Sequence, residues 1–332
     1  MKARRDRRHS ERGAVLITVL FIVVVMSTTA VALVDDIRFG IRRATNVTLN
    51  DQAFWYALGI EEYARQQIDE YTGTDREKAM LSASGGVRQV QFPIEGGLVT
   101  GQLSDGSNCF NLNSVVIRGE EGEAVLNETG LAEYRRLLTA LGFDLAEAET
   151  LADTLVDWID DDTAPRPQGA EDYTYATLDP PYRAKNDMLS GPGELRAVKG
   201  YTIEVYHRIR DYVCALPLRA GQPLNVNSLT PEQAPLVVML VGDALRQAEA
   251  RRIIEDRPRA GYDRIDDFWS HSVFENLDIG EDLRERVATR TTYYILDAEV
   301  QYHEEWTRIH SLFEVEQTGY VRVFSRYFGE RE

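Results

Sequence analysis

From Ala14 to Val34 the chain reads AVLITVLFIVVVMSTTAVALV, 21 residues without a charged side chain. At about 1.5 Å per residue this makes roughly 31 Å of helix, the thickness of a hydrocarbon core. Inside lipid no water bonds the backbone, so such a segment spans as a helix. Before it stand Lys2, Arg4, Arg5, Arg7, Arg8 and Arg12 against Asp6 and Glu11, and after it Asp35 and Asp36. That asymmetry places the N-terminus in the cytoplasm and the bulk of the chain outside the membrane that it crosses once. The formal net charge is −17 and the first 13 residues carry an excess of four positive charges, so the rest holds −21. A surface of that sign gives no general grip on nucleic acid phosphate.

Three fates suit the segment: a permanent anchor, a signal peptide cut after Ala30-Val31-Ala32, or a short basic leader removed just ahead of the apolar run. The junction Glu11-Arg12-Gly13 followed by Ala14-Val15-Leu16 resembles a type IV prepilin cleavage site. The resemblance implies that a prepilin peptidase cuts between Gly13 and Ala14, and that Ala14 becomes the methylated mature terminus. Residues 1–13 are then the leader, 14–34 the spanning part of a helix and 35–73 its periplasmic part. Between Asp36 and Tyr71 there is no proline, and Ile37, Ile41, Ala44, Phe54, Ala57, Leu58, Tyr63 and Ala64 form an apolar stripe. The spacing predicts one continuous helix to about Tyr71, the element that pilins and pseudopilins use as both anchor and polymer core. Most of that family carry glutamate as the fifth mature residue, which pairs with a neighbour's terminal amine. Here the position is Thr18, an assembly feature that resembles the K component of the type II secretion pseudopilus.

Beyond the helix, VRQVQFPI, LVTGQL and NCFNLN read as short strands around a Gly96-Gly97 turn and Asp105-Gly106, as do TYYILDAEVQY, TRIHSLFEVEQ and YVRVFSRYF at the other end. Residues 85–113 and 291–329 are thus expected to form an antiparallel sheet, with 114–290 as a helical insertion, an α+β organisation. The insertion reads as a duplication. Phe110-Asn111-Leu112-Asn113-Ser114 is echoed by Leu224-Asn225-Val226-Asn227-Ser228, and each precedes an apolar helix ending at Gly142 or Gly242. Asparagine and serine in this setting suit helix capping. The second copy also looks like a DNA-gripping helix-hairpin-helix. Its turn, however, is Val241-Gly242-Asp243, with a carboxylate where phosphate would sit, and acids outnumber arginines around it.

The densest polar cluster is DWIDDDTAPRPQGAEDYTY, with Asp157, Asp160, Asp161, Asp162, Glu171 and Asp172. So many carboxylates around a helix C-terminus conflict with the macrodipole, and hard oxygen ligands on an irregular loop suit a structural calcium ion. Asp157 and Asp161 are expected at the helix end, Asp160 and Asp162 toward the loop, and Glu171 and Asp172 closing from the far side; a solvated acidic turn is the alternative. No nucleophile elbow, phosphate loop, dinucleotide fingerprint or His-Glu-x-x-His pair accompanies it, so the chain is read as no enzyme. Cys109 and Cys214 occupy matching positions at the starts of the two repeats and are expected to bridge in an oxidising compartment; two buried free thiols are the alternative.

In order, the leader junction, the span without glutamate, QAFWYALGIEEYA, FNLN, the acidic loop, ELRAVKG, LNVNS and the closing strands resemble the minor pseudopilin K family of type II secretion systems. That resemblance implies a single-pass protein of a bacterial inner membrane with a periplasmic body, in a pseudopilin fold with a large helical insertion that binds calcium. It also implies assembly at the pseudopilus tip with the minor pseudopilins I and J, and with H and G, for export across the outer membrane, without nucleic acid. A membrane-tethered DNA-binding protein and a minor type IV pilin are the rival readings.

Overall fold

The structure is a computed structural model and describes residues 3–72, 87–217, 223–242, 244–316 and 318–329, with side chains from Ala14 onward except that of Val87. Residues 1–2, 73, 85–86 and Asp243, which figure in the expectations above, lie outside the described residues. Helix α1 (Ala3–Tyr71) is a single helix of 69 residues, roughly 104 Å long. From Ala14 to Gln52 every residue but Leu49 is exposed, so this stretch stands clear of the rest of the chain.

Packing begins at Ala53. Ala53, Ala57, Ile60, Ala64 and Ile68 recur at helical spacing and are buried, and the three alanines let the helix lie close on the sheet. The expected stripe therefore divides in two. At about 100° per residue, Ile37, Ile41 and Ala44 fall on the side of the helix roughly opposite Ala53, Ala57 and Ala64. Ile37 and Ile41 are more than half exposed. One polar clamp supplements the apolar contact: the Glu61 carboxylate, buried on α1, accepts from Ser311 Oγ at 2.5 Å and from Arg326 Nε at 2.7 Å, with Arg326 Nη2 on its other oxygen.

The sheet has five strands, β1 (Val87–Ile94), β2 (Gly97–Asp105), β9 (Tyr293–Tyr302), β10 (Glu305–Val315) and β11 (Val321–Phe328), paired antiparallel in that order. Val99, Leu103, Leu296, Ala298, Val300, Ile309 and Phe313 point at α1. The first hairpin turns at Glu95-Gly96, where Gly96 has φ of 82°, one residue earlier than expected.

NCFNLN does not join this sheet. The chain leaves it after Asp105, and β3 (Phe110–Asn111) pairs parallel with β6 (Val213–Cys214) inside the insertion, so the insertion starts ahead of residue 114. Its helices are α2 (Glu128–Ala140), α3 (Leu145–Ile159), α4 (Asp172–Tyr175), α5 (Ile203–Ile209), α6 (Ala234–Val241), α7 (Gln247–Glu255), α8 (Ile265–Trp269) and α9 (Glu281–Arg284), all around one core. A small hairpin, β4 (Val116–Arg118) and β5 (Ala124–Leu126), precedes α2. Ahead of α5 the chain turns at Gly200, whose φ of 92° suits a residue without Cβ. The insertion core and the sheet core do not merge. Their seam is polar: Asp105 accepts from Ser107 N, Thr291 Oγ1, Asn225 Nδ2 and Ser228 Oγ at 2.5–2.7 Å.

The duplication is visible as geometry. Just as β3 pairs parallel with β6, β7 (Leu224–Asn225) pairs parallel with β8 (Val287–Ala288). Asn113 donates to the carbonyls of Leu189 and Leu216 and accepts from the Leu189 amide. Asn227 donates to Tyr262 and Thr289 and accepts from the Tyr262 amide. The asparagines thus staple distant loops, which capping alone does not do. Cys109 and Cys214 are joined by a disulfide that closes the first repeat over 105 residues, stabilising by about 4–5 kcal/mol in the chain-entropy relation. Cys214 thus ends the first repeat and is not the match of Cys109 at the start of the second that the sequence suggests; by register, the counterparts of Cys109 and Cys214 in the second repeat are Pro223 and Ala288. The double variant Pro223→Cys, Ala288→Cys is expected to form a second bridge, seen as loss of both new thiols in alkylation mass spectrometry. Two persistent free thiols would contradict the equivalence of the repeats.

Candidate metal centre

Helix α3 begins at Asp144, whose side chain accepts from the Glu147 amide at 2.8 Å, and ends at Asp160, where the backbone turns extended (φ −69°, ψ 163°). Along it Asp153 and Asp157 lie one turn apart and are both buried. Asp153 is neutralised by Arg135 Nη2 at 2.8 Å and Arg166 Nε at 3.0 Å. Asp157 receives the Arg166 amide at 3.1 Å. A Cβ on Gly169 would stand 1.8 Å from Asp157 Oδ2, so the loop passes the carboxylate only because that residue is glycine. Desolvation first, and then the nearby Asp153 charge, push the Asp157 carboxyl up to about 6 against the loop amides that favour its ionised form.

With the loop held this way, one carboxylate oxygen from each of Asp160, Asp162 and Glu171 comes within 4.8 Å of the others. Asp160 and Glu171 are buried and Asp162 is exposed. Among the described residues no donor bonds Asp160 Oδ1 or either Glu171 oxygen; the Asp172 amide lies near Glu171 and favours its ionised form without aligning as a hydrogen bond. Buried carboxylate oxygens without donors are costly, and two ionised groups at this separation repel by roughly 3 kcal/mol at an intermediate dielectric. Burial, followed by repulsion from Asp162, Asp157 and Glu171, pushes Asp160 up to about 7. Burial and the Asp157 charge push Glu171 to about 7 as well.

Trp158, Tyr175 and Tyr182 wall the region from the core side, with ring centroids 5.0–6.2 Å apart. Asn186, at φ 48°, ties the loop back by donating its backbone N–H to the Trp158 carbonyl at 3.0 Å and its Nδ2 to the Asp162 carbonyl at 3.1 Å. The donor set is oxygen only and anionic, which suits a hard divalent cation and offers nothing to softer metals. The cluster is therefore able to chelate a divalent ion.

Of the six carboxylates singled out in the sequence, the structure brings three together and places Asp157 beside them. The other two turn away. Asp161 is not at the helix end: its Oδ2 accepts from the Ala124 amide at 2.7 Å and its own amide donates to the Ala124 carbonyl at 3.2 Å. Asp172 accepts from the Ala184 amide at 3.0 Å, with Arg183 Nε at 3.9 Å. Sequence reasoning missed Asp153, Arg166, Gly169 and Asn186. The four-residue spacing of Asp153 and Asp157 was the available signal.

Elsewhere, Thr18 Oγ1 donates to the Val15 carbonyl at 2.9 Å, so its polar group is satisfied within the span. Gly13 and Ala14, the expected cleavage junction, lie within continuous helix α1. The arginines that gave the second repeat a DNA-binding look are ion-paired: Arg246 with Glu249, Arg251 with Glu232 and Glu255, and Arg252 with Asp256.

Two family models, each described as type II secretion system protein K, match residues 108–218 and 224–290, the same spans as the two structural repeats. The chain is 35% identical to the type II secretion system protein K of Pectobacterium carotovorum subsp. carotovorum over 257 residues, covering 77% of this chain and 78% of that one. It is 34% identical to the protein of that name from Aeromonas hydrophila, covering 75% and 77%. Among solved structures it is similar to a chain of the GspK-GspI-GspJ complex of the enterotoxigenic Escherichia coli type 2 secretion system. That match has a TM-score of 0.71 at 23% identity and covers 87% of this chain and all of the other. The likeness confirms the α+β fold with an apolar N-terminal helix, an antiparallel sheet and a helical insertion.

Without a cation, the folded chain holds protons on Asp160 and Glu171 up to about pH 7, whereas the unfolded chain releases them near 3.8 and 4.5. This contribution to stability is full below about pH 4 and falls as pH rises through about 7. A bound divalent ion cancels the fall. The gap between the Tm of calcium-loaded and chelator-treated protein is therefore expected to widen from pH 5 to pH 8, read by scanning calorimetry; a gap that narrows would contradict the assignment.

Proposed function

The chain belongs to the type II secretion system protein K family, and on that premise we propose that it is a minor pseudopilin working at the tip of the pseudopilus. There it initiates and caps assembly for protein export across the outer membrane, and it performs no catalysis. The observation that carries this reading is α1. Residues 14–52 are exposed apart from the half-buried Leu49, and they include a full membrane span and the exposed Ile37 and Ile41. A helix left bare on all sides over that length fits neighbours' helices, first inside the bilayer and then above it.

The solved relative is named as a complex of three such components, and the partners proposed here are the corresponding pseudopilins I and J, with H and G below them. The basic leader supports a cytoplasmic N-terminus and removal between Gly13 and Ala14 by the prepilin peptidase, followed by methylation. Thr18 supports the tip position, because a subunit with no neighbour above it has no terminal amine to pair. The bulky insertion would then block further growth at that end.

Calcium is the cation proposed for Asp160, Asp162 and Glu171. It takes six to eight oxygens in flexible geometry, and these carboxylates leave room for water on the exposed Asp162 side. When bound, the ion supplies positive charge that removes carboxylate repulsion. The chain's own residues do the rest: Asp157, Gly169 and Arg166 hold the loop in reach, and Asn186 fastens it to the end of α3. The role is structural, pinning the long loop after α3.

In cells lacking the native protein, the full chain should restore secretion. A version without residues 1–34, delivered to the periplasm by a cleavable signal, should leave secretion at background. Restoration by the anchorless version would contradict the reading.

A further inference from the structure

We infer that Asp161 is a strut through which occupancy of the cation pocket fixes the β4–β5 hairpin. The inference rests on the cation reading above. Asp160, Asp161 and Asp162 follow one another where α3 ends and the chain bends at Asp160 and Asp161, and their side chains part there. Asp160 and Asp162 meet Glu171 on one side. On the other, Asp161 makes a two-bond pair with Ala124, through its own amide to the Ala124 carbonyl and its carboxylate to the Ala124 amide.

The hairpin needs such an anchor. It is a two-stranded unit that pairs with no other described strand, and an isolated hairpin of this size is marginal in water. Val116 at its base and Ala124, opposite Arg118 beside the turn, are buried, while Ile117, Arg118, Glu120 and Glu121 are exposed, so Asp161 holds the hairpin near its turn. With a cation present, Asp160 and Asp162 are drawn to one centre and the peptide units between them are held, which aims Asp161 at Ala124. With the pocket bare of charge compensation, the two flanking carboxylates repel and the same peptide units turn. The Ala124 pair then weakens although neither of its members binds the ion.

The test uses the full mature chain in nanodiscs, with calcium binding followed by calorimetry and amide exchange of residues 116–126 followed by mass spectrometry, in calcium and in chelator. In the unaltered chain, calcium should slow exchange of the hairpin on the order of tenfold. Asp161→Asn keeps an acceptor for the Ala124 amide and should bind calcium within about threefold of the unaltered chain, with hairpin protection retained. Asp161→Ala should bind calcium and lose the protection. Glu171→Gln should lose calcium and leave the hairpin at its chelator level. If Asp161→Asn loses calcium as Glu171→Gln does, Asp161 is a ligand and the inference is overturned. Retained protection in Asp161→Ala, or calcium binding in the unaltered chain without any change at the hairpin, also overturns it while leaving the cation reading intact. An unaltered chain that takes up no calcium removes both.

Discussion

Three carboxylate oxygens, one on Asp160 and two on Glu171, sit in the helical insertion where no described donor bonds them. Much of the local architecture can be read as accommodation to that one constraint. Asp153 is neutralised by two arginines, Asp157 is met by a loop amide, and Asp161 and Asp172 are turned onto backbone amides. Asp162, exposed, accepts from the Ala164 amide at 2.7 Å, which leaves Asp160 and Glu171 as the members of the facing set with buried oxygens that no described donor meets. Proteins rarely keep buried charge in that state, since each such group either takes up a proton or is matched by a cation. Here both routes are open, and which is taken depends on pH and on the ion supply of the compartment.

The same division of labour recurs at larger scale. The sheet and the insertion have separate apolar cores, and the bonds between them are polar, centred on Asp105 and its four donors. The insertion is therefore held largely from within, by the disulfide and the paired asparagine staples. Helix α1 has the complementary character. Its alanine face and Glu61 secure the sheet at one end, and residues 14–52 are exposed apart from Leu49. A body that is rigid without its neighbours, carried on a helix that is incomplete without them, is suited to sitting at the end of a polymer.

How much of this was legible in the sequence differed by element. The span, the unbroken helix and the strand VRQVQFPI follow from hydrophobic period and the absence of proline, which act locally. The duplication was legible because asparagine is rare enough in such a pattern to stand out. NCFNLN misled because its alternation looks like a sheet strand, whereas Asn111 and Asn113 spend their amides on Leu216 and Leu189, contacts more than 70 residues away that no local pattern encodes. The acidic run announced a charged site but not its members. Membership depends on where α3 stops and how the chain bends at Asp160 and Asp161, which a run of like residues does not encode. Gly169 and Asn186 were silent for a related reason: each matters only because of what a folded loop brings against it.

The measurement that tests the cation reading most directly is a calorimetric calcium titration of the mature chain in buffers of different ionisation enthalpy, which counts protons released. With Asp160 and Glu171 both near 7, binding at pH 7 should expel protons, and the release should vanish near pH 9 while calcium uptake persists. Absence of uptake at millimolar calcium, or uptake at pH 7 with no proton released, would contradict it.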